Sequence, residues 1–234
     1  MMVKIDAVAV DIDGTITDNK RRICISAIKA LRKLEDNGIP TIIVTGNVAD
    51  FAYATAVLIG SSGGIVFENG GGIFKEDKNN GEILIIGDKT QVEKAHHEII
   101  NQIPHIMSSA DNVFRLAEKC YYKDNVRKDE LSNAVKEFNV IVYDSGFALH
   151  LTDPKINKGS SLEKLLKWQG ISSKNVMGIG DSENDLEFLK HCGFKVAVQN
   201  ADDRLKEIAD YISPLKYGDG VADAIDKFVL NNTI

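Results

Sequence analysis

The string DIDGT puts two carboxylates, Asp11 and Asp13, one residue apart at the end of the apolar run AVAV. Residues two apart in an extended segment point the same way, so both side chains serve one site. Carboxylates held together repel, and a hard cation with oxygen ligands cancels that repulsion. Mg2+ held by a few carboxylates and a substrate phosphate is the usual case. The string IIVTG adds a hydroxyl on Thr45 and a glycine, Gly46, and MGIGD delivers a further aspartate, Asp181. In an open α/β sheet ligands bind beyond the carboxyl ends of the strands, where all three strings converge. A bland reading stands beside this one. An acidic pair after a strand is often a turn or a cap, and GDSENDLEF (180–188) reads alone as a helix start capped by Asp181 or Ser182. Both motifs together, each after a strand, favour the chemical reading.

The elements that must position these residues follow from periodicity. IDAVAV (5–10), TIIVTG (41–46) and GIVFENG (64–70) read as buried strands, apolar on both faces as covered parallel strands are. Ile25, Ile28, Leu31 and Leu34 recur at helical spacing until Gly38 and Pro40 stop them, and a second helix is expected over 48–59. Strands alternating with helices imply a parallel sheet. The middle differs. A hairpin is expected over 70–88, turning at Asn79, Asn80 and Gly81. A helix over 91–103, a strand near 113–122, a helix over 128–138 and a second hairpin turning at Ser145 and Gly146 follow. From Pro154 the βα rhythm returns, with a helix from Ser160 to Trp168 and a last one over 221–229. The expected fold class is α/β, a doubly wound parallel-sheet core (1–77 and 154–234) interrupted by an inserted α+β cap (78–153) with an antiparallel sheet.

Composition sets the outer bounds. The chain has 234 residues, 44% of them hydrophobic, and a net charge of -6 with its basic residues scattered. That suits a globular protein with a proper core and offers no surface for nucleic acid or membrane. Cys24, Cys120 and Cys192 are odd in number and far apart, which fits reduced cytoplasmic thiols better than disulfides. Lys4 and Asp6 interrupt the apolar N-terminus, so no leader is expected, and a cytoplasmic location is. Oligomeric state is left open, a homodimer included.

These strings together resemble the haloacid dehalogenase superfamily of phosphotransferases. DIDGT matches its first motif, VTGN its second, the lysine of INKGSSL (Lys158) its third and GDSENDLEF its fourth, in the family's order. Chain length and compact cap look most like the archaeal-type phosphoglycolate phosphatases of its sugar-phosphatase branch. The resemblance implies a Mg2+-dependent phosphatase acting on a small phosphorylated metabolite, with 2-phosphoglycolate favoured. It implies Asp11 as nucleophile, Asp13 as general acid–base, and Thr45, Gly46, Asn47 and Lys158 as phosphate-binding groups. It further implies Mg2+ held by the Asp11 carboxylate, the Asp13 carbonyl and Asp181, with Asp185 as a ligand or just behind. The cap is expected to close over the crevice and to select the substrate.

Rival readings remain. A related sugar phosphatase shares every motif. A phosphomannomutase-like mutase needs several cations for a second phosphate, and the cap has only Arg115 and Arg127 as arginines. A signalling receiver would lack the cap and the second aspartate, and a passive phosphometabolite binder would not need both Asp11 and Asp13. GSSGG and ENGGGIF lack the P-loop lysine and read as turns. His96 and His97 read as surface or cap-packing residues, His105, His150 and His191 as isolated, and Trp168 as core.

Overall fold

A computed structural model describes residues 4–77, 80–145 and 148–230. Its main sheet starts with β1 (Ala7–Val10), β2 (Thr41–Val44) and β3 (Ile65–Phe67), joined through α1 (Ile25–Asp36) and α2 (Ala49–Ile59). After the cap region come α5 (Lys158–Gln169), β9 (Val176–Gly180), α6 (Leu186–His191), β10 (Phe194–Ala197), α7 (Asp203–Ile208), β11 (Tyr211–Ile212) and α8 (Tyr217–Phe228). With β4 (Gly72–Asp77) and β5 (Asn80–Ile85) the sheet has eight strands in the order β11-β10-β9-β1-β2-β3-β4-β5. Neighbours from β11 to β3 pair in parallel, and β4 and β5 add antiparallel at one edge.

The sequence explains the arrangement. Every residue of β1, β2 and β9 is buried, as strands covered on both faces require. In α1, Ala27, Ala30, Leu31 and Leu34 are buried, one helical stripe against the sheet. The chain leaves β1 toward β2 on one side and returns at β9 on the other. That places the switch in strand order between β1 and β9, where a crevice opens at the strands' carboxyl ends. In-register pairing of Val10 with Ile179 puts Asp11 and Asp181 beyond adjacent strand ends.

The smaller layer holds α3 (Lys89–Gln102), α4 (Lys128–Ala134) and a three-stranded antiparallel sheet β6-β8-β7, with β6 Lys119–Tyr122, β7 Ile141–Asp144 and β8 Ala148–Thr152. Val92, Ala95 and Ile99 of α3 bury themselves with Tyr121, Leu131, Leu149 and Leu151 in a separate apolar cluster.

Several expectations need correcting. Asn80 and Gly81 open β5 rather than form the turn, whose remaining expected residue, Asn79, lies outside the described residues, as does Gly146 of the second hairpin. The expected cap boundary at 78 falls inside the first hairpin, because β5 pairs with β4 in the large sheet and not with the small one. The strand expected near 113–122 is shortened to β6. Backbone amides of Leu116, Ala117 and Glu118 donate instead to the Glu68 carboxylate at 2.8, 2.7 and 3.0 Å, which removes them from any ladder. The helix after Pro154 starts at Lys158, two residues earlier than expected, because Asn157 caps it by accepting the Ser160 amide at 2.8 Å. The last helix likewise starts at Tyr217.

Candidate active site

Asp11 follows β1, with its amide donating to the Ile179 carbonyl at 3.1 Å. The chain then turns sharply, and Gly14 takes a φ of 83°. A Cβ on Gly14 would lie 2.2 Å from Asp181 Oδ2, so glycine is what lets this turn lie against Asp181. Thr15 donates its hydroxyl to Asp181 Oδ1 at 2.9 Å. Lys158, the first residue of α5, is buried, and its Nζ donates to Asp11 Oδ1 and to Asp185 Oδ1, both at 2.6 Å. The other oxygen of Asp185 accepts the amides of Asp181 and Ser182 at 3.0 and 3.1 Å.

Asp11, Asp181 and Asp185 each offer a carboxylate oxygen within 4.8 Å of the others. One lysine balances only part of that charge. Burial pushes the Asp11 carboxyl well above the ordinary carboxylate range, and the Asp185 charge adds to it against the pull of Lys158. Burial, then Asp185, pushes Asp181 up to about 7. Burial alone would lower Lys158, but Asp11 and Asp185 hold it above its ordinary value. A site of oxygen donors with surplus negative charge fits a hard divalent cation.

Thr45 and Asn47 form the opposite wall. Thr45 is buried, and its Oγ1 accepts the Asn47 amide at 3.1 Å and the Asn47 side chain at 2.9 Å. The Asn47 Nδ2 also donates to Asp13 Oδ2 at 2.5 Å, while Arg21 Nε donates to Asp13 Oδ1 at 2.9 Å. A cleft of about 820 Å³ opens over Asp11, Asp13, Gly46, Asn47 and Asp181 and is roofed by Arg115 and His150.

The roof is bonded to the floor. Arg115 donates to the Gly46 carbonyl at 3.1 Å, to Asp111 at 2.8 Å and to Glu118. Glu118 also meets His150 Nδ1 at 3.0 Å and accepts from Tyr143 at 3.2 Å. Asn69 donates to Glu118 and accepts from Asn184 at 3.1 Å, linking the cap to the loop after β9. Burial would raise Glu118, but His150 and Arg115 hold it below its ordinary value.

A family model described as haloacid dehalogenase-like hydrolase matches residues 8–130 and 82–225. The chain belongs to this hydrolase family. It is 54% identical to the phosphoglycolate phosphatase of Methanobrevibacter smithii, over 97% of this chain and all of that one. It is 50% identical to the phosphoglycolate phosphatase of Methanothermobacter thermautotrophicus, over 95% of this chain and 98% of that one. The crystal structure of Thermoplasma acidophilum 0175 superposes with a TM-score of 0.87 at 27% identity, covering 96% of this chain and 98% of that one.

In this hydrolase the residues singled out from sequence fall in one place. Asp11, Asp13, Gly46, Asn47 and Asp181 line the cleft, and Thr45, Lys158 and Asp185 stand directly behind them in hydrogen-bond contact. His150 is not isolated, and Arg115, Glu118, Asn69 and Arg21 carry contacts that the motifs do not announce. The nearest sequence signal was ENG at 68–70, whose Glu68 and Asn69 both take left-handed φ values of 47° and 53°. His96 does pack in the cap, against the Tyr121 hydroxyl at 2.7 Å, and Trp168 packs partly buried at the core with Lys75 over its ring. All three cysteines are free thiols, and among the described residues no helix is long and apolar enough to cross a membrane.

Proposed function

We propose that this chain is a cytoplasmic, Mg2+-dependent phosphatase that hydrolyses 2-phosphoglycolate to glycolate and phosphate through an aspartyl-phosphate. The observation that carries the reaction is Lys158 Nζ shared at 2.6 Å between Asp11 and Asp185, with Asp13 two residues along facing the same cleft. The names of the two archaeal relatives, similar over nearly their whole length, support the substrate.

In this reading an Asp11 carboxylate oxygen attacks phosphorus, and the bond to the substrate alcohol breaks. Asp13, held by Asn47 and Arg21, gives its proton to the leaving oxygen. Asp13 then takes a proton from the incoming water, which displaces phosphate from Asp11 and restores the carboxylate. Lys158 keeps Asp11 in one rotamer and supplies positive charge beside the arriving phosphate. Thr45 and the Gly46–Asn47 turn receive phosphate oxygens ahead of α2, where helix-start amides favour anions, and the Asn47 amide exchanges its Thr45 Oγ1 acceptor for a phosphate oxygen. A divalent cation held by Asp11, the Asp13 carbonyl and Asp181 would offset the phosphate charge and orient it for attack. Asp185 spends both oxygens on Lys158 and the 181–182 amides, so it positions the site from behind.

The test is phosphate release from a panel of small phosphomonoesters with Mg2+ present. The reading expects 2-phosphoglycolate to have the highest kcat/KM, well above hexose phosphates. A hexose or pentose phosphate leading the panel would replace the substrate, and bisphosphate-primed phosphate exchange without net release would replace the reaction with a mutase.

A further inference from the structure

Arg21 is set in place by a small hairpin that none of the four motifs includes. Thr17 and Ile23 bridge across it, and the Asp18 carboxylate accepts the amides of Lys20 and Arg22 at 2.8 and 3.0 Å. Arg22 folds back onto that same carboxylate, with its Nε at 2.8 Å. Arg21 between them takes a φ of 59°. A left-handed conformation is strained for a residue with a Cβ, and such strain collects where function requires it. Its product here is a guanidinium brought into the cleft. Nε donates to Asp13 Oδ1 at 2.9 Å and Nη2 to Asn47 Oδ1 at 3.2 Å, yet the side chain stays 64% exposed.

The other guanidinium among the described lining residues is Arg115, and it is committed. It is buried between Asp111 and Glu118, so two carboxylates already answer its charge. Arg21 has one carboxylate, Asp13, and that group must turn to the substrate for the reaction to run.

We propose that Arg21 receives the substrate's carboxylate beside the general acid, making the enzyme selective for short phosphorylated carboxylates. The inference rests on the phosphoglycolate reading above. The leaving oxygen must come within hydrogen-bond reach of Asp13 to take its proton, about 3 Å. In 2-phosphoglycolate a single methylene separates that oxygen from the carboxylate. The carboxylate therefore falls against whatever is bonded to Asp13, and that cation is Arg21. A guanidinium fork matches a carboxylate edge to edge, which a lysine cannot do. As the substrate's carboxylate takes the guanidinium, Asp13 Oδ1 is released toward the leaving oxygen. A substrate without a carboxylate leaves Asp13 tied to Arg21.

The experiment compares 2-phosphoglycolate with ethyl phosphate, which keeps the leaving oxygen and lacks the acid, on wild-type enzyme, Arg21→Gln and Arg21→Lys. Wild type is expected to prefer phosphoglycolate. Arg21→Gln should lower that preference, read as the ratio of the two kcat/KM values, by about 10–100-fold, the weight of a charge-assisted hydrogen bond. Arg21→Lys should fall between. Equal losses on both substrates would show that Arg21 merely steadies Asp13 and would overturn the proposal. A preference that survives in Arg21→Gln would place the carboxylate elsewhere and leave the substrate reading standing. A wild-type enzyme with no preference would remove the reading and the proposal together. Folding is checked by circular dichroism, and the exposed side chain makes loss of fold an unexpected result.

Discussion

Asp11 and Asp13 are two residues apart and differ in almost everything that matters to a carboxylate. Asp11 is buried and bonded to Lys158, while the Asp13 side chain is 26% exposed and held by an amide and a guanidinium. A nucleophile needs one fixed direction of attack, and a proton carrier needs access to water and to the leaving group. The two should therefore fail differently. Asp11→Asn removes the attacking oxygen at nearly constant shape, and no phosphoenzyme and no turnover should be detected. Asp13→Asn should cost about 10²–10⁴-fold in kcat, least on p-nitrophenyl phosphate, whose leaving group needs little protonation. A folded Asp11→Asn protein with wild-type turnover, checked by mass spectrometry for deamidation, would remove Asp11 as nucleophile. Legibility at this scale followed locality. Asp11 and Asp181 could be read because each ends a buried strand, and those strands are neighbours in register. Lys158 was readable only through its motif, since nothing in a lone lysine announces burial. Arg21 could not be read, because its place depends on a left-handed φ in a turn closed by Asp18.

Helices and buried strands were legible where one period governs them, as in α1 and β1, and misread where side chains take over backbone partners. The segment before β6 has the composition of a strand, but Glu68 captures three of its amides and draws it onto the core. A carboxylate that accepts three N–H groups from another element acts as a clasp between cap and core. Asp153, which accepts the Asp88 amide at 2.9 Å, closes a second one where the chain enters and leaves the cap. Removing the first clasp by Glu68→Ala leaves buried donors unpaired, a cost of about 2–4 kcal/mol, and lowers Tm by about 5–10 °C. Hydrogen exchange should then speed up at residues 116–118 well before the core strands are affected. Unchanged exchange at these amides would show that other contacts hold the segment down.

Across the whole molecule, the fold concentrates negative charge at the switch between β1 and β9 and covers it with a cap. Asp181 has its carboxyl pushed up to about 7, and Asp11 is pushed well above the ordinary value, each by burial first and the Asp185 charge next. In the unfolded chain both groups ionise near their ordinary value of 3.8. Between those limits the folded, metal-free protein holds protons that the unfolded chain has released. Stability then falls as pH rises, because the folded state binds more protons. For Asp181 the loss should begin near pH 4 and be complete a little above pH 7, where both states are ionised, about where its two values stand. A divalent cation bound at the proposed site would reverse the balance, since it would favour the ionised carboxylates and bind the folded state alone. Urea unfolding in EDTA should therefore show stability falling from pH 4.5 to about 7.5, and excess Mg2+ should flatten or invert that slope. Asp181→Asn should remove part of the slope in EDTA and most of the response to Mg2+. Identical slopes with and without Mg2+ would overturn the cation site. A wild-type slope retained in Asp181→Asn would mean that the pH-dependent charge lies on groups other than Asp181, Asp11 first among them.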